Sequence, residues 1–581
     1  MKREELAKKT WNDWENVLSY QRSLNLKDTC ETCTNFLEGR QWPQATERTK
    51  NLPRPVINII KYIVNNKKSN VLSSKIKMIY KPLAYDSMDT NLAVNGATQF
   101  TNFAGHINKQ IKQEDLNDKA IKDGLVKGTY IFHYFWDKQA KTGMARYDGG
   151  LNGQIIDPLN IGFANPKEKD EQKQKWIIIC GRENTQTIKE IAKKNGLSNT
   201  EIELIKADDD TERNYNVQEQ DGEEYTTVLT KYFRKNGEVY YIKTTKNIVI
   251  QDETPLTPDA EKIKLEIDEE GKTNEDLEDA NPDKPDMQFF KMSLYPIVVG
   301  FWEEREKSIY GIGEVEQLLP TQKAVNFNYA MMLMSTQNIG FPKVAVRPRA
   351  LQGKQLTNQP GEVVVDYSPN FDGIRYLNPP ASNIVPITLT DKMIELTRTV
   401  TGATEVTNGE AIGANMAASA IVALQSQAKV PIEDIQKRFW RIHEKIARIW
   451  EQFFKAYYTF STDYLIEKEG NEVSESFNGG EYQNIDFETS IDVGPGSAYS
   501  ESMSISLLEN ALNRGDIDFD EFIELYPDSA MPFKAKLKEL RNKKILPSDV
   551  SQFIMQNPQL YQMVMEMVGQ AQVEAEQPTT L

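Results

Sequence analysis

The sequences YGIGEVEQLLPTQ (residues 310–322) and PIEDIQKRFWRIHEKIARIWEQF (residues 431–453) flank the stretch that decides the fold. Between Trp302 and Tyr458 the residue pattern predicts, in order, a glycine-punctuated loop, a helix, a strand-rich insert, a second helix, a small-residue loop and a very long amphipathic helix. A helical hairpin with a β module at its tip suits a channel lining or a docking surface better than a substrate pocket. The order therefore favours a protein that works through shape and assembly.

The long helix has the clearest periodicity in the chain. Its apolar residues recur at spacings of three and four, which predicts one buried face: Ile432, Ile435, Phe439, Ile442, Ile446, Ile449 and Phe453. Oppositely charged residues four apart, such as Glu433 with Lys437 and Asp434 with Arg438, occupy its other faces. We interpret this helix as a buried strut, with a kink expected at Pro431.

The hairpin that precedes the strut contains the insert. Its first helix is predicted to reach about Asn338, with a kink or a restart at Pro320, because proline cannot donate a hydrogen bond inside a helix. Its second helix is predicted over residues 386–400. Proline-edged runs predict three strands in the insert, at residues 343–347, 363–367 and 374–377.

The residues before the hairpin predict a mixture of helices and strands. Residues 1–75 have helical patterns around a short loop, and one long helix is predicted from about Asp89 to Val126. The aromatic run from Tyr130 to Trp136 has the composition of a strand. We expect other elements to pack on its aromatic faces. Further on, the pattern predicts short strands and one helix without a βαβ repeat, hence an α+β region: strands 176–180, 226–233 and 239–243, and helix 185–194.

Composition narrows the class of protein. A chain of 581 residues with 39% hydrophobic residues is expected to form several domains. No apolar run approaches the roughly 18 residues of a membrane span, and the Lys- and Glu-rich N-terminus does not resemble a signal peptide, so we expect a cytoplasmic origin. Only three cysteines and three histidines are present. Cys30 and Cys33 therefore fit two reduced thiols on a helix better than a zinc site.

Charge is unevenly distributed. The net charge of −16 argues against tight nonspecific binding of phosphates. Between Asp252 and Asp286 there are 14 acidic residues and 4 lysines, a net of −10 that leaves −6 for the rest of the chain. We predict that residues 251–287 form an exposed, partly disordered excursion.

Several local motifs resemble functional sites but lack an essential residue. Gly271-Lys272-Thr273 has Glu266 where a phosphate-binding loop requires glycine, and Gly311-Ile312-Gly313 is followed by Glu316 instead of a third glycine. We attribute the latter glycines to backbone flexibility. An EF-hand-like start at Asp516 has Glu521 in place of glycine. No nucleophile elbow or His-Glu-x-x-His motif is present, so we predict no catalytic, cofactor or metal site.

Several strings, taken in order, resemble the portal proteins of tailed bacteriophages. Together they extend over most of residues 36–460: Phe36-Leu37-Glu38-Gly39-Arg40-Gln41-Trp42, Arg54-Pro55-Val56-Ile57-Asn58, Asp157-Pro158, Tyr310-Gly311-Ile312-Gly313 with Gln322 and Asn326, and Thr401-Gly402-Ala403-Thr404-Glu405 continuing through Ala417-Ala418-Ser419-Ala420. Each string alone is short. Their order and spacing carry the resemblance.

The resemblance implies a multidomain α+β portal fold with a wing, an α-helical stem, a small α/β clip and an α-helical crown. The implied boundaries are the wing at 1–310 with the acidic excursion 251–287, stem helix 1 at 311–340, the clip at 341–382, stem helix 2 at 383–400, the tunnel loop at 401–418, the long helix and wing return at 419–500, and the crown with a disordered tail at 501–581. The acidic excursion departs from the usual wing.

The resemblance also implies a function. Portals are dodecameric rings at one capsid vertex of the virion, assembled in the bacterial cytoplasm. They provide the channel through which double-stranded DNA is packaged and ejected, and they bind terminase, head–tail adaptor proteins and the major capsid protein. They have no catalytic site, cofactor or membrane segment.

Two sets of residues are the candidate contacts. Polar side chains of the tunnel loop would make only weak contacts with DNA, which would let the DNA slide through the channel: Thr407, Asn408, Glu410 and Asn415. Basic side chains of the clip would contact DNA or a protein partner, or they are ordinary solvated strand edges: Lys343, Arg347, Arg349 and Arg375.

Two alternatives remain open at the level of sequence. One is another virion structural or scaffold component without a DNA channel, which would lack the order of helix, insert, helix, loop and long helix. The other is an ATPase, which would need the glycine missing before Gly271 and an acidic metal ligand after a strand.

Overall fold

The computed structural model describes residues 3–47, 49–50, 52–83, 90–141, 148–208, 223–257, 290–340, 343–353, 364–368, 370, 373–377, 385–402, 418–459, 461–468, 471–493, 498–526 and 531. Of these residues, 48% are helical and 24% lie in strands, which confirms a mixed α and β class. The chain divides into two compact units, Met1–Ser461 with Asn478–Asp492, and Thr462–Phe477 with Val493–Leu581.

The helices of the described residues are α1 (Arg3–Ser23), α2 (Leu26–Leu37), α3 (Ile59–Val71), α4 (Thr90–Gln110), α5 (Gln113–Lys127), α6 (Thr185–Lys194), α7 (Asn199–Ile202), α8 (Glu314–Gly340), α9 (Val385–Thr401), α10 (Ala418–Tyr457), α11 (Ala498–Arg514) and α12 (Phe519–Leu525). The single helix predicted from Asp89 to Val126 is wrong. Lys112 adopts a left-handed backbone conformation (φ 53°) and separates α4 from α5, which a continuous helix cannot accommodate.

The strands are β1 (Ile76–Pro82), β2 (Thr129–Lys141), β3 (Asp148–Ile156), β4 (Ile161–Phe163), β5 (Trp176–Asn184), β6 (Tyr225–Lys235), β7 (Glu238–Thr244), β8 (Val249–Pro255), β9 (Ile297–Phe301), β10 (Lys343–Val346), β11 (Ile374–Leu377), β12 (Thr462–Lys468), β13 (Asn471–Phe477) and β14 (Phe487–Val493). Their order is β3-β2-β9 in a three-stranded sheet and β4-β5-β6-β7-β8 in a five-stranded sheet; the other described pairs are β1-β14, β10-β11 and β12-β13. The strands predicted in residues 176–243 are confirmed.

The five-stranded sheet is antiparallel throughout and packs against helices. Trp14 and Val17 of α1 are buried with Ile178, Cys180 and Leu229 of the sheet. In a second core, Ile188 and Ala192 of α6 are buried with residues of the sheet and the loops beside it: Leu197, Ile205, Val228, Ile248 and Ile250. The predicted helix over residues 185–194 is confirmed.

The long helix α10 covers the aromatic strand β2. Aromatic side chains of β2 lie against the helix along its length: the ring centroids of Tyr130 and Phe439 are 6.1 Å apart, and those of Tyr134 and Trp450 are 5.7 Å apart. Ile446 is fully buried. The interpretation of this helix as a buried strut is therefore confirmed, and a single helix continues through Pro431.

The acidic excursion begins later than predicted. Residues 251–255 belong to strand β8, where the Asp252 carboxylate accepts hydrogen bonds from the Arg3 guanidinium, the shortest 2.6 Å long. Glu253 forms an ion pair with Lys235. These acidic side chains are thus part of the sheet and its ion pairs, and residues 258–287 lie outside the described residues.

The second unit contains a β-hairpin and short helices. Strands β12 and β13 are antiparallel, and the Tyr464 hydroxyl donates to Glu475 Oε2 over 3.1 Å. In α12, Asp518 and Glu521 form a reciprocal capping box, which stabilises the first turn. The predicted short helices are confirmed over residues 498–525, whereas residues 532–581 lie outside the described residues.

Candidate functional site

The predicted order of helix, insert, helix and long helix is present as α8, the β10–β11 pair, α9 and α10. We call residues 314–401 the exposed hairpin. Within it, Asn328 Nδ2 of α8 lies 4.0 Å from Met393 Sδ of α9. The restart predicted at Pro320 is wrong, since α8 is one helix through this residue. Burial of Val315, Leu318 and Gln322 around it offsets the hydrogen bond that proline cannot donate.

Gln322 connects the base of α8 to the N-terminus of α3. Its Oε1 accepts hydrogen bonds from the backbone N–H groups of Ile59 (3.0 Å) and Ile60 (3.3 Å), and its Nε2 donates to the carbonyl of Ile57 (2.6 Å). The first N–H groups of a helix have no partner within the helix. A side chain about 260 residues away in the sequence therefore supplies the partner.

Asn326 extends this network to the loop after α2. Its Nδ2 donates to Gln41 Oε1 (2.6 Å), and Gln41 Nε2 in turn donates to the Phe36 carbonyl (2.7 Å). Asn58 Nδ2 donates to the Leu37 carbonyl (2.9 Å). The strings at 36–42, 54–58 and 322–326, which are far apart in sequence, thus meet in one largely buried amide network at the hairpin base.

An ion pair also holds the first turn of α8. Glu314 Oε1 lies 2.7 Å from Lys67 Nζ of α3, and its Oε2 accepts a hydrogen bond from Trp302 Nε1 (2.9 Å). Both charged side chains are largely buried. A carboxylate in the first turn also interacts favourably with the helix dipole, so this pair fixes where the hairpin starts.

The glycines before α8 are required by close packing, which corrects the interpretation that they provide flexibility. A Cβ atom on Gly128, which has φ +83°, would lie 2.6 Å from the Gly311 carbonyl oxygen, and one on Gly313 would lie 2.9 Å from the Leu125 carbonyl oxygen. The Gly311 N–H donates to Thr129 Oγ1 (2.8 Å). The loop before the hairpin therefore packs tightly on the turn between α5 and β2.

Away from its base, the exposed hairpin has apolar side chains on its surface. Thirteen of the 22 large apolar side chains that are exposed in the described residues lie between Phe327 and Val400. At about 100° per residue, they include one stripe on each helix: Phe327, Met331 and Met334 on α8, and Leu389, Leu396 and Val400 on α9. Val400 is 85% exposed. Asp391 and Glu395 are exposed on another side of α9.

The insert contains two strands in its described part. Lys343 pairs with Leu377, and Val346 with Ile374, in antiparallel register. The third strand predicted at 363–367 is wrong over its described residues, 364–367, which form no strand. Instead, the Asp366 carboxylate accepts hydrogen bonds from the N–H groups of Ser368 (2.9 Å) and Gly373 (2.8 Å), so this segment forms a turn.

The structure brings together the predicted basic residues of the insert. Lys343 lies in β10, Arg375 lies opposite Ala345 in β11, and the Arg347 N–H donates to the Gly373 carbonyl (2.8 Å) as the pairing continues. Arg349 lies in the following turn with φ 75°. All four are exposed. The predicted tunnel-loop residues Thr407, Asn408, Glu410 and Asn415 lie outside the described residues.

Two histidines are buried in hydrogen-bonded positions. His443 Nε2 lies 3.1 Å from Asn117 Oδ1, and His133 Nε2 lies 3.0 Å from the Tyr232 hydroxyl. Burial lowers the pKa of His443 to about 4 and that of His133 to about 3, because a charged imidazolium is poorly solvated there. Both rings are therefore neutral at neutral pH.

Cys30 and Cys33 are buried free thiols on α2. Burial raises the pKa of Cys33 to about 12 and also raises that of Cys30, so neither is a thiolate at neutral pH. Within the described ranges, no group of three or more His, Cys, Asp or Glu side chains is arranged to hold a metal ion. None of the helices in these ranges combines the length and the hydropathy that a membrane crossing requires.

Two features of the hairpin were not predicted from the sequence. The partners of Gln322 and Asn326 were not predicted, although both residues belong to the strings that carry the resemblance. The apolar stripes of the exposed hairpin were not singled out, although their spacing is visible in the sequence.

Comparison with protein-family models and with curated proteins finds no match for this chain.

Proposed function

We propose that the chain is a portal subunit that assembles as a ring and forms a DNA channel at one vertex of a phage capsid. The observation that carries the proposal is the exposed hairpin, with a base anchored by buried polar groups and an outer part that presents apolar stripes to solvent. Large exposed apolar areas commonly mark interaction surfaces. The function would be assembly, without catalysis or a cofactor.

Ring closure sets a geometric requirement. A head-to-tail contact must use two different complementary surfaces of each subunit, and it closes only if its rotation returns to the start. The stripe on α8 and the stripe on α9 are two such apolar surfaces on a rigidly anchored element. The twelve-subunit ring of the resembled family would bury them between neighbouring copies.

The remaining parts of the proposal come from the resemblance and from the charge. Double-stranded DNA would pass through the channel during packaging and ejection, and terminase, adaptor proteins and the capsid protein would bind the ring from outside. A net charge of −16 is compatible with passage, because few cations would hold the phosphates. The site of action would be the virion, after assembly in the bacterial cytoplasm.

Electron microscopy and mass measurement of the purified full chain test this proposal. We expect closed rings with a central hole. Deleting residues 403–416, which the resemblance places in the tunnel loop, should leave the rings intact and impair DNA packaging or retention. A protein that remains monomeric at all concentrations, or a filament without closure, would overturn the proposal.

A further inference from the structure

A lysine, two carboxyl groups and two aromatic rings meet beside the last turns of helix α10. Lys455 is 1% exposed, and its Nζ lies 2.6 Å from Oε1 of Glu451, one turn earlier in the helix. Oδ1 of Asp486 is 3.8 Å from the same nitrogen. The ring centroids of Phe290 and Phe487 lie 5.3 Å and 5.4 Å from it. An amine is thus held against a carboxyl group where little water reaches them.

The surroundings disfavour the charged form of this pair. Burial raises the pKa of Glu451, because a carboxylate loses its hydration there. Two opposite charges taken out of water can lose more solvation than their attraction returns. Transfer of one proton from Nζ to Oε1, along the 2.6 Å hydrogen bond, leaves a neutral amine beside a neutral carboxylic acid. These are the two reactants of an amide bond.

We propose that Lys455 and Glu451 condense to an isopeptide bond, an amide between two side chains, with Asp486 as the proton carrier. The lone pair of Nζ attacks Cδ of Glu451 and forms the C–N bond. Oε1 carries the developing negative charge and accepts a hydrogen bond from the Phe487 N–H (3.4 Å). Asp486 takes one proton from the nitrogen and passes it to the second carboxyl oxygen, which leaves as water. One amide and one water form, so the step needs no oxidant, reductant or activating group.

The helix places the reacting groups together. Side chains four residues apart lie on one face of an α-helix, with Cβ atoms about 5 to 6 Å apart. Groups fixed in this way react as if they were at very high concentration. The Ile485 carbonyl accepts a hydrogen bond from Nζ (2.5 Å) and orients the amine. The Asp486 side chain is 73% exposed, so the water that forms can leave on that side.

The same helix contains a matched pair in different surroundings. Glu433 and Lys437 have the same residue types, order and spacing, and their closest nitrogen and oxygen atoms are 3.6 Å apart. Both side chains are at least half exposed. An exposed lysine stays a hydrated ammonium ion at neutral pH, and an ammonium ion has no lone pair for attack. We therefore expect the bond between Glu451 and Lys455 and none between Glu433 and Lys437.

Mass spectrometry of the purified, fully denatured chain tests the proposal. A condensed chain is lighter than its sequence by one water. Trypsin does not cleave after a lysine whose amine is acylated, so it should release residues 449–468 as one peptide that lacks a water, in place of residues 449–455. Cleavage after Lys437 should be normal, and the peptide that ends there should keep the mass of its sequence.

Two variants assign the reacting groups. Lys455→Met removes the amine and should keep the full mass of its sequence, which excludes loss of water elsewhere in the chain. Asp486→Asn changes an exposed side chain and should slow the appearance of the lighter chain by about a hundredfold, measured in samples taken during cell-free synthesis. Thermal unfolding checks that both variants fold.

The outcomes separate this inference from the proposed function, because the mass of a denatured chain does not depend on ring assembly. A wild-type chain of full mass that is cleaved after Lys455 would overturn the inference and leave the portal proposal intact. Equal loss of water at Glu433 and Lys437 would also overturn it, since burial would then have no part in the reaction. If Asp486→Asn condenses as fast as the wild type, the role given to Asp486 is wrong.

Discussion

The inner and outer parts of helix α8 differ in what surrounds them. Toward the base, Val315 and Val325 are completely buried, and Gln322 and Asn326 are held in the amide network. Beyond Ala330, most side chains are exposed, including Met331 at 44%. Helical stability in proteins comes mainly from packing of an apolar face. The inner part obtains that packing from this chain, and the outer part has apolar side chains whose packing a second molecule would complete.

The long helix α10 gives the strongest test of the buried side of this comparison. Ile446→Asp would place an unpaired carboxylate where the isoleucine is fully buried, at a cost of several kcal/mol. We expect loss of the folded state, measured as loss of soluble protein and of a cooperative thermal transition. Arg441→Asp introduces a carboxylate at an exposed position of the same helix. This control should remain soluble and keep a cooperative thermal transition. A soluble Ile446→Asp protein with a cooperative transition would refute the buried strut.

The second test removes the amide network at the hairpin base. Gln322→Leu removes the side-chain acceptor of the Ile60 N–H and one of the two partners of the Ile59 N–H and of the Ile57 carbonyl, which keep their 2.9 Å bond to each other. A buried unsatisfied group costs about 1 to 3 kcal/mol, so we expect the free energy of unfolding to fall by about 1 to 3 kcal/mol. Denaturant titration measures it. The matched change at an exposed position of α8, Gln337→Leu, should cost less than about 0.5 kcal/mol. Equal losses in the two variants would show that the amide network around Gln322 does not stabilise the hairpin base.

The third test uses pH. The pKa of His443 is lowered to about 4 by burial, whereas in the unfolded chain it is about 6.5. Above pH 6.5 the ring is neutral in both states; as the pH falls toward 4, only the unfolded state gains the proton, so stability decreases by up to about 3 kcal/mol. His443→Gln should reduce this slope whatever its effect at neutral pH. Denaturant titrations at several pH values give the slope, and an unchanged one would show that His443 does not cause it.

Periodicity in the sequence predicted the elements whose partners cover a complete face. The spacing of Phe439, Ile446 and Phe453 determines the buried side of α10, and the composition of residues 225–244 determines two neighbouring strands. Local signals are sufficient in these cases because burial repeats with the period of the element. The order of hairpin, insert and long helix was predicted for the same reason.

Features that depend on a single backbone angle or on a distant partner were not predictable. The left-handed Lys112 interrupts a helical pattern with a residue that gives no turn signal. Gln41 and Asn326 are 285 residues apart, and an amide side chain in a sequence does not specify its partner. The basic residues of the insert were predicted as a cluster among strands, but the pairing of Arg375 with Ala345 follows from the register of β10 with β11.

The smallest effect on folding is expected at the outer part of α8. Met331→Asp adds the same group as Ile446→Asp, but at an exposed position, so the free energy of unfolding of the monomer should change by less than about 1 kcal/mol, mostly through helix propensity. Assembly should be lost, because the charge enters the apolar stripe. Thr336→Asp, also exposed on α8 and about half a turn from Met331, serves as the control. The mass of each variant, measured over a range of concentrations, shows whether it assembles. If Met331→Asp assembles as well as Thr336→Asp, the apolar stripe on α8 is not the contact between copies.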